Sequence, residues 1–83
     1  MNNIRFTKRA YKDMQILKRV GLENKIKSLL KIIQDNPFQN PPPYEKMSGY
    51  TNVYSRRINK QHRLVYEVNE GIILIAKMWS HYE

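Results

Sequence analysis

The chain has 83 residues, with 15 Lys and Arg against 7 Asp and Glu, a formal net charge of +8 and no cysteine. That composition excludes a disulfide framework and a thiolate metal site and leaves no room for a second folded unit. No apolar run approaches the roughly 18–20 residues of a bilayer-spanning helix, and the opening MNNIRFTKRAYKDM lacks the plan of a signal peptide, so the expectation is one soluble cytoplasmic domain spanning residues 1–83. The cationic excess calls for an anion. Nucleic acid leads, because neutralised phosphates release condensed counterions; an anionic membrane surface, an acidic protein or simple solubilisation are the alternatives.

In chain order, NIRF (residues 3–6) is a short strand candidate. Thr7 can then cap a helix whose Ala10, Met14, Leu17 and Val20 recur at helical spacing until Gly21 stops it. A second helix follows at once, with Leu22, Ile26, Leu29, Leu30 and Ile33 on one stripe, Lys25, Lys27, Lys31 and Asp35 elsewhere, and Asn36-Pro37 at its end. Two amphipathic helices on so short a link make an antiparallel hairpin that needs an apolar surface to cover.

The stretch NPFQNPPPYEKMSGYTN, residues 36–52, reads as a loop over most of its length. Beyond it the period shortens. VYSRRI, RLVYEV and IILIAKMW are β-branched and aromatic runs; Asn59-Lys60-Gln61 separates the first two, and Asn69-Glu70-Gly71 makes a tight hairpin turn. In RLVYEV, Leu64, Tyr66 and Val68 alternate with Arg63, Val65 and Glu67, so one face can meet the helices while the other carries Arg63. IILIA is apolar on both faces and suits a central strand. The pattern β-α-α-β-β-β is that of an α+β fold, a helical hairpin on one face of a largely antiparallel sheet.

Glu45 is the sole acidic residue between Asp35 and Glu67, in a stretch holding Lys46, Arg56, Arg57, Lys60, His62 and Arg63. A surface ion pair is one explanation. RNA cleavage is the other: a base removes the proton of a 2′-hydroxyl, an acid protonates the leaving 5′-oxygen, and a guanidinium stabilises charge on the phosphorus oxygens. Glu45, Arg63 and His81 supply those three groups. The nucleophile belongs to the substrate, so the scheme needs neither metal nor cofactor, and DNA would bind without being cut.

PPPYEKM, YSRRINKQHRLVYEV and the terminal MWSHYE together resemble the YoeB/Txe toxins of bacterial type II toxin–antitoxin systems, within the RelE superfamily of ribosome-dependent messenger-RNA endonucleases. The likeness is close over residues 37–83 and one of pattern over the helices. It implies a microbial-ribonuclease-like fold, Glu45 as general base, Arg63 as transition-state arginine, His81 as general acid and Tyr82 as a substrate-positioning residue. It also implies an RNA-binding surface from Arg56 and Arg57, with Lys46 and Lys60 beside them. The implied partners are the ribosome and its messenger, a cognate acidic antitoxin of the YefM/Axe kind, and a second copy of the chain, as relatives form homodimers. KMSGYTNVY departs from the more glycine-rich form of relatives, with Asn52 where a second glycine is common and Met47 where leucine is usual.

Each residue also has a plain structural reading. Arg63 would pair with a carboxylate near Glu67, His81 would be a packed or solvated end residue, and Tyr82 would staple the last strand. His62 reads as structural. Tyr44, Tyr50, Tyr54 and Trp79 can stack on bases, although Tyr54 and Trp79 alternate with core residues; Lys8, Arg9, Lys12, Lys18 and Arg19 suit a solvated helix face or ribosomal RNA. The rival functions are a non-catalytic RNA-binding or ribosome-associated module and a scaffold for an acidic protein.

Overall fold

Thr7 joins the first two elements. Its extended backbone ends strand β1 (Asn3–Phe6), and its hydroxyl accepts the Ala10 N–H at 2.9 Å, capping α1 (Lys8–Arg19). The computed structural model describes residues 2–80, with Trp79 and Ser80 described through their backbone. Gly21, at φ 83°, takes the positive-φ turn into α2 (Glu23–Asp35), and Asn36-Pro37 ends that helix. Four further strands follow: β2 (Glu45–Lys46), β3 (Val53–Arg57), β4 (His62–Asn69) and β5 (Ile72–Ser80). They form one sheet in the order β1-β5-β4-β3-β2, parallel between β1 and β5 and antiparallel elsewhere.

The α+β class stands, and IILIA is interior as its two apolar faces require. One strand is added to the expected order. Glu45 lies in the two-residue β2, where it faces Ser55 on β3, and a pair of residues carries no periodicity from which a strand can be read. Val20 is a second difference: it caps α1 at the turn and is 64% exposed rather than packed. The core forms from Ala10, Leu17, Ile26, Leu29 and Ile33 of the helices against Ile58, Leu64, Tyr66, Ile73, Ile75 and Met78.

The sheet changes phase within β5. Val65 pairs with Lys77 while Tyr66 pairs with Ile75, so Ala76 is an extra residue, as in a β-bulge. Ile73 and Ile75 therefore share the helix-facing side with Met78 rather than with Lys77. Helix α1 holds this irregularity in place. Where β1 ends, Thr7 donates its amide to the Ile75 carbonyl at 3.1 Å and its hydroxyl to the Ala76 carbonyl at 2.7 Å. The buried Asp13 then accepts the Met78 N–H at 3.1 Å, with Arg9 3.5 Å away on the next turn of the helix.

The long loop is ordered by Arg56, which is 1% exposed. A guanidinium has five donors, no acceptor and a charge it does not lose, so burial demands partners. Nε donates to the Tyr66 hydroxyl at 3.1 Å, Nη1 to the Pro42 carbonyl, and Nη2 to the Pro37 and Gln39 carbonyls at 3.0 and 2.8 Å. Tyr66 completes the circuit by donating to Pro37 at 2.8 Å. Around it pack Phe38, Tyr44 and Tyr54, with Arg56 Cζ 5.2 Å from the centre of the Tyr44 ring. Burial pushes the Tyr66 phenol above the usual tyrosine range, and the neighbouring Arg56 opposes part of that rise.

Asp13→Ala removes the acceptor of a buried amide and should lower stability by about 1–3 kcal/mol, read as the denaturant midpoint; Asp13→Asn, which retains an acceptor oxygen, should lose less. The folded-state pKa of Tyr66 is raised, so its proton is released from the unfolded chain first. Its contribution is whole below the unfolded value near 10 and is lost as pH rises through the folded value. Stability measured at pH 8 and pH 11 should accordingly fall by less in Tyr66→Phe than in the unaltered chain.

Candidate active site on the helix-free face

Residues directly opposite one another on neighbouring strands share a face, and the register defines two rows on the side away from the helices. Glu45, Ser55, Val65 and Lys77 form one; Arg57 and Arg63 occupy the next, with Arg63 in backbone register with Trp79. Arg63 reaches diagonally between them. Its Nη1 lies 2.6 Å from Glu45 Oε1 and donates to the buried Ser55 hydroxyl at 3.0 Å. Among the described residues its Nε and Nη2 have no protein partner, so those donors are available to an anion.

The two charges differ in access. The Arg63 side chain is 20% exposed and that of Glu45 67%, so the arginine is held by the sheet while the carboxylate sits at the rim. Pro43, Tyr44, Glu45, Ser55, Arg57 and Arg63 surround a pocket of about 290 Å³. Arg57 stands exposed at one end and donates to the Lys60 carbonyl at 3.4 Å, bringing that lysine's turn beside the strand ends. The arrangement combines an accessible carboxylate, a fixed cation with donors unused among the described residues, and further positive charge along one edge.

Not all the expected residues meet here. Arg56 is turned to the helix side, buried and bonded to three loop carbonyls, because neighbours on a strand point to opposite faces and only one arginine of SRRI can join Glu45; this corrects its grouping with Arg57 as an RNA contact. Lys46 likewise alternates with Glu45 and is exposed on β2. The half-buried His62 closes its own turn, its ring Nδ1 3.1 Å from Asn59 Oδ1. Arg63 pairs with Glu45 and not with a group near Glu67. His81 and Tyr82 lie outside the described residues. Sequence reasoning missed Ser55 as the support beneath Arg63, although the alternation of Val53, Ser55 and Arg57 in VYSRR was a signal. It also missed Asp13, whose place three residues after Ala10 and four before Leu17 puts a carboxylate on the apolar stripe.

The profile of the family described as "YoeB-like toxin of bacterial type II toxin-antitoxin system" matches residues 6–82. Toxin YoeB of Synechocystis sp. (strain ATCC 27184 / PCC 6803 / Kazusa) is 39% identical over 75 residues, spanning 86% of this chain and 77% of the relative. Toxin YoeB of Escherichia coli K12 is 40% identical over 62 residues, 70% of each chain. Among solved structures, the YoeB dimer from Staphylococcus aureus superposes with a TM-score of 0.86 at 39% identity over 98% of both chains. The YoeB–YefM complex from the same organism superposes at 0.81 and 38% identity over 99% of both. With its sheet, helical pair and sequence in agreement with these relatives, the chain belongs to the YoeB-like toxin family of bacterial type II toxin–antitoxin systems.

Proposed function

We propose that this toxin is an endoribonuclease that cuts messenger RNA within the translating ribosome by attack of the substrate's own 2′-hydroxyl. The observation that carries the reading is the 2.6 Å pairing of an exposed Glu45 carboxylate with an Arg63 guanidinium whose remaining donors have no partner among the described residues. Glu45 takes the 2′-hydroxyl proton as the new oxygen–phosphorus bond forms. Arg63 donates to the non-bridging oxygens as their charge grows. His81 gives its proton to the departing 5′-oxygen, leaving a 2′,3′-cyclic phosphate and a 5′-hydroxyl, and Tyr82 orients the substrate.

Two further features support the reading. Arg63 is in register with Trp79, which precedes His81 by two residues in the sequence. Arg57, Lys60 and Lys46 are exposed cations that suit the messenger and ribosomal phosphates, with Lys46 on the outer strand. The relative solved as a YoeB–YefM complex, together with the +8 charge, supports an acidic antitoxin of that kind as partner; the relative solved as a dimer supports self-association. On this reading the chain works in the cytoplasm, where translating ribosomes are, as a single domain.

The test is to map messenger 5′ ends after induced expression of the unaltered chain and of Glu45→Ala, Arg63→Ala and His81→Ala, with ribosome sedimentation alongside. Each variant should cut about 100- to 10,000-fold more slowly and still co-sediment. Glu45 sits exposed at the rim, where an ion pair is worth about 1 kcal/mol or less, so Glu45→Ala should stay folded. Undiminished cutting by both Glu45→Ala and His81→Ala would overturn the mechanism, and co-sedimentation without cutting by the unaltered chain would leave a binding module. A messenger carrying one 2′-deoxynucleotide at the scissile position should bind equally well and remain intact at that bond.

A further inference from the structure

We infer that Arg56 is a positioning residue for the reaction: its buried guanidinium shapes the proline-rich segment 37–44 and thereby holds Glu45 within reach of Arg63. The inference rests on the cleavage reading above. Its geometric part stands on Arg56's contacts. The three carbonyls it collects, those of Pro37, Gln39 and Pro42, all belong to the eight residues before Glu45. That segment has little of its own to hold it. Pro37, Pro41, Pro42 and Pro43 lack an amide donor, and the local bonds are those of Gln39, which donates its amide to Asn36 and its side chain to Pro41, and of Phe38, which donates to the Asn36 side chain.

The charge is what makes Arg56 specific for this work. Among the described residues no carboxylate pairs with it, so the loop carbonyls and the Tyr66 phenol are the groups that compensate the buried cation. Pulling the loop away would therefore expose an uncompensated charge, which makes loop and strand move as one piece. The chain then passes Tyr44, whose ring faces the same guanidinium, and enters β2, where Glu45 and Lys46 pair with Ser55 and Tyr54, the two residues that precede Arg56 on β3. Two residues of pairing are too few to hold a strand unaided. Arg56 and its aromatic shell supply the rest, and Glu45 arrives in the row that contains Ser55.

Three variants test this, each in the full chain: Arg56→Met, Arg56→Lys and Tyr66→Phe. Cleavage kinetics on translating ribosomes are one measurement; amide hydrogen exchange of the isolated protein is the other, comparing Met47, whose N–H donates to Val53 at 2.8 Å, with Val65 in the interior ladder. A misplacement of about 1 Å can reduce a rate by about 100-fold, so Arg56→Met should lower kcat on that scale and leave KM and its salt dependence unchanged. Lysine keeps the charge and loses the planar fork, so Arg56→Lys should behave like Arg56→Met rather than like the unaltered chain. In both, exchange at Met47 should rise at least about 10-fold more than at Val65.

The idea is overturned if Arg56→Lys cuts normally while Arg56→Met raises KM and weakens its salt dependence, for then the arginine meets phosphate directly. It is equally overturned if neither kcat nor Met47 exchange changes. Should Arg56→Met and Arg56→Lys not fold, Tyr66→Phe decides: removing the phenol that accepts from Nε and donates to Pro37 should speed Met47 exchange and slow cutting several-fold, and no change in either sinks the proposal. If the unaltered chain cuts no messenger, the cleavage reading fails by itself, and the exchange data still decide whether Arg56 holds the loop.

Discussion

A permanently charged guanidinium in the interior sets the terms for half of this structure. Arg56 cannot neutralise itself, and a buried ion without partners costs several kcal/mol, so its surroundings must be built from acceptors. They come from a segment with neither helix nor long strand to organise it, in the form of Pro37, Gln39 and Pro42 carbonyls and the Tyr66 hydroxyl. A loop of such composition is ordinarily the most variable part of a small domain. Here it is tied to the central strands because the charge requires it, and the only carboxylate in the surrounding basic stretch is carried at its end.

The other half depends on the phase of β5. Had the strand run without its irregularity, the side chains following Ile75 would alternate to the opposite faces, with Lys77 turned toward the helices and Met78 away from them. The extra residue Ala76 reverses that phase, and Thr7 and Asp13 of the helical layer hold the strand on both sides of it. Two supports of different chemistry thus converge on one face: an internal cation that shapes the loop bearing Glu45, and a helix that sets the course of the strand leading past Arg63. Neither support touches the pocket itself. The candidate site is in this way assembled on a small core whose supporting groups do not line its pocket.

Electrostatically, the arginines divide by strand alternation. Arg56 spends its donors inside, whereas Arg57 and Arg63 present theirs on the other face, beside an acidic group that would otherwise be isolated among cations. The close pairing of Glu45 with Arg63 keeps a carboxylate where repulsion of like charge would discourage phosphate from lying on an acid alone. For a chain carrying a net +8, the charges sum to a field that favours anions.

Residue order alone determined the helical hairpin, the β runs and the inside–outside alternation of Leu64, Tyr66 and Val68, because apolar periodicity is a local property of a segment and needs no knowledge of its neighbours. The motifs of the second half of the chain likewise carry the family resemblance by themselves. What only the tertiary structure decided concerns partners distant in sequence. Strand β2 exists because β3 offers it a partner, Arg56 turned out to be interior because alternation on β3 assigns it that face, and Asp13 became an acceptor because β5 passes it 65 residues later. Such outcomes are invisible to periodicity. Which acceptor a buried donor finds is settled when segments far apart in the chain are packed together, and in this protein those choices position the carboxylate and the cation of the candidate site.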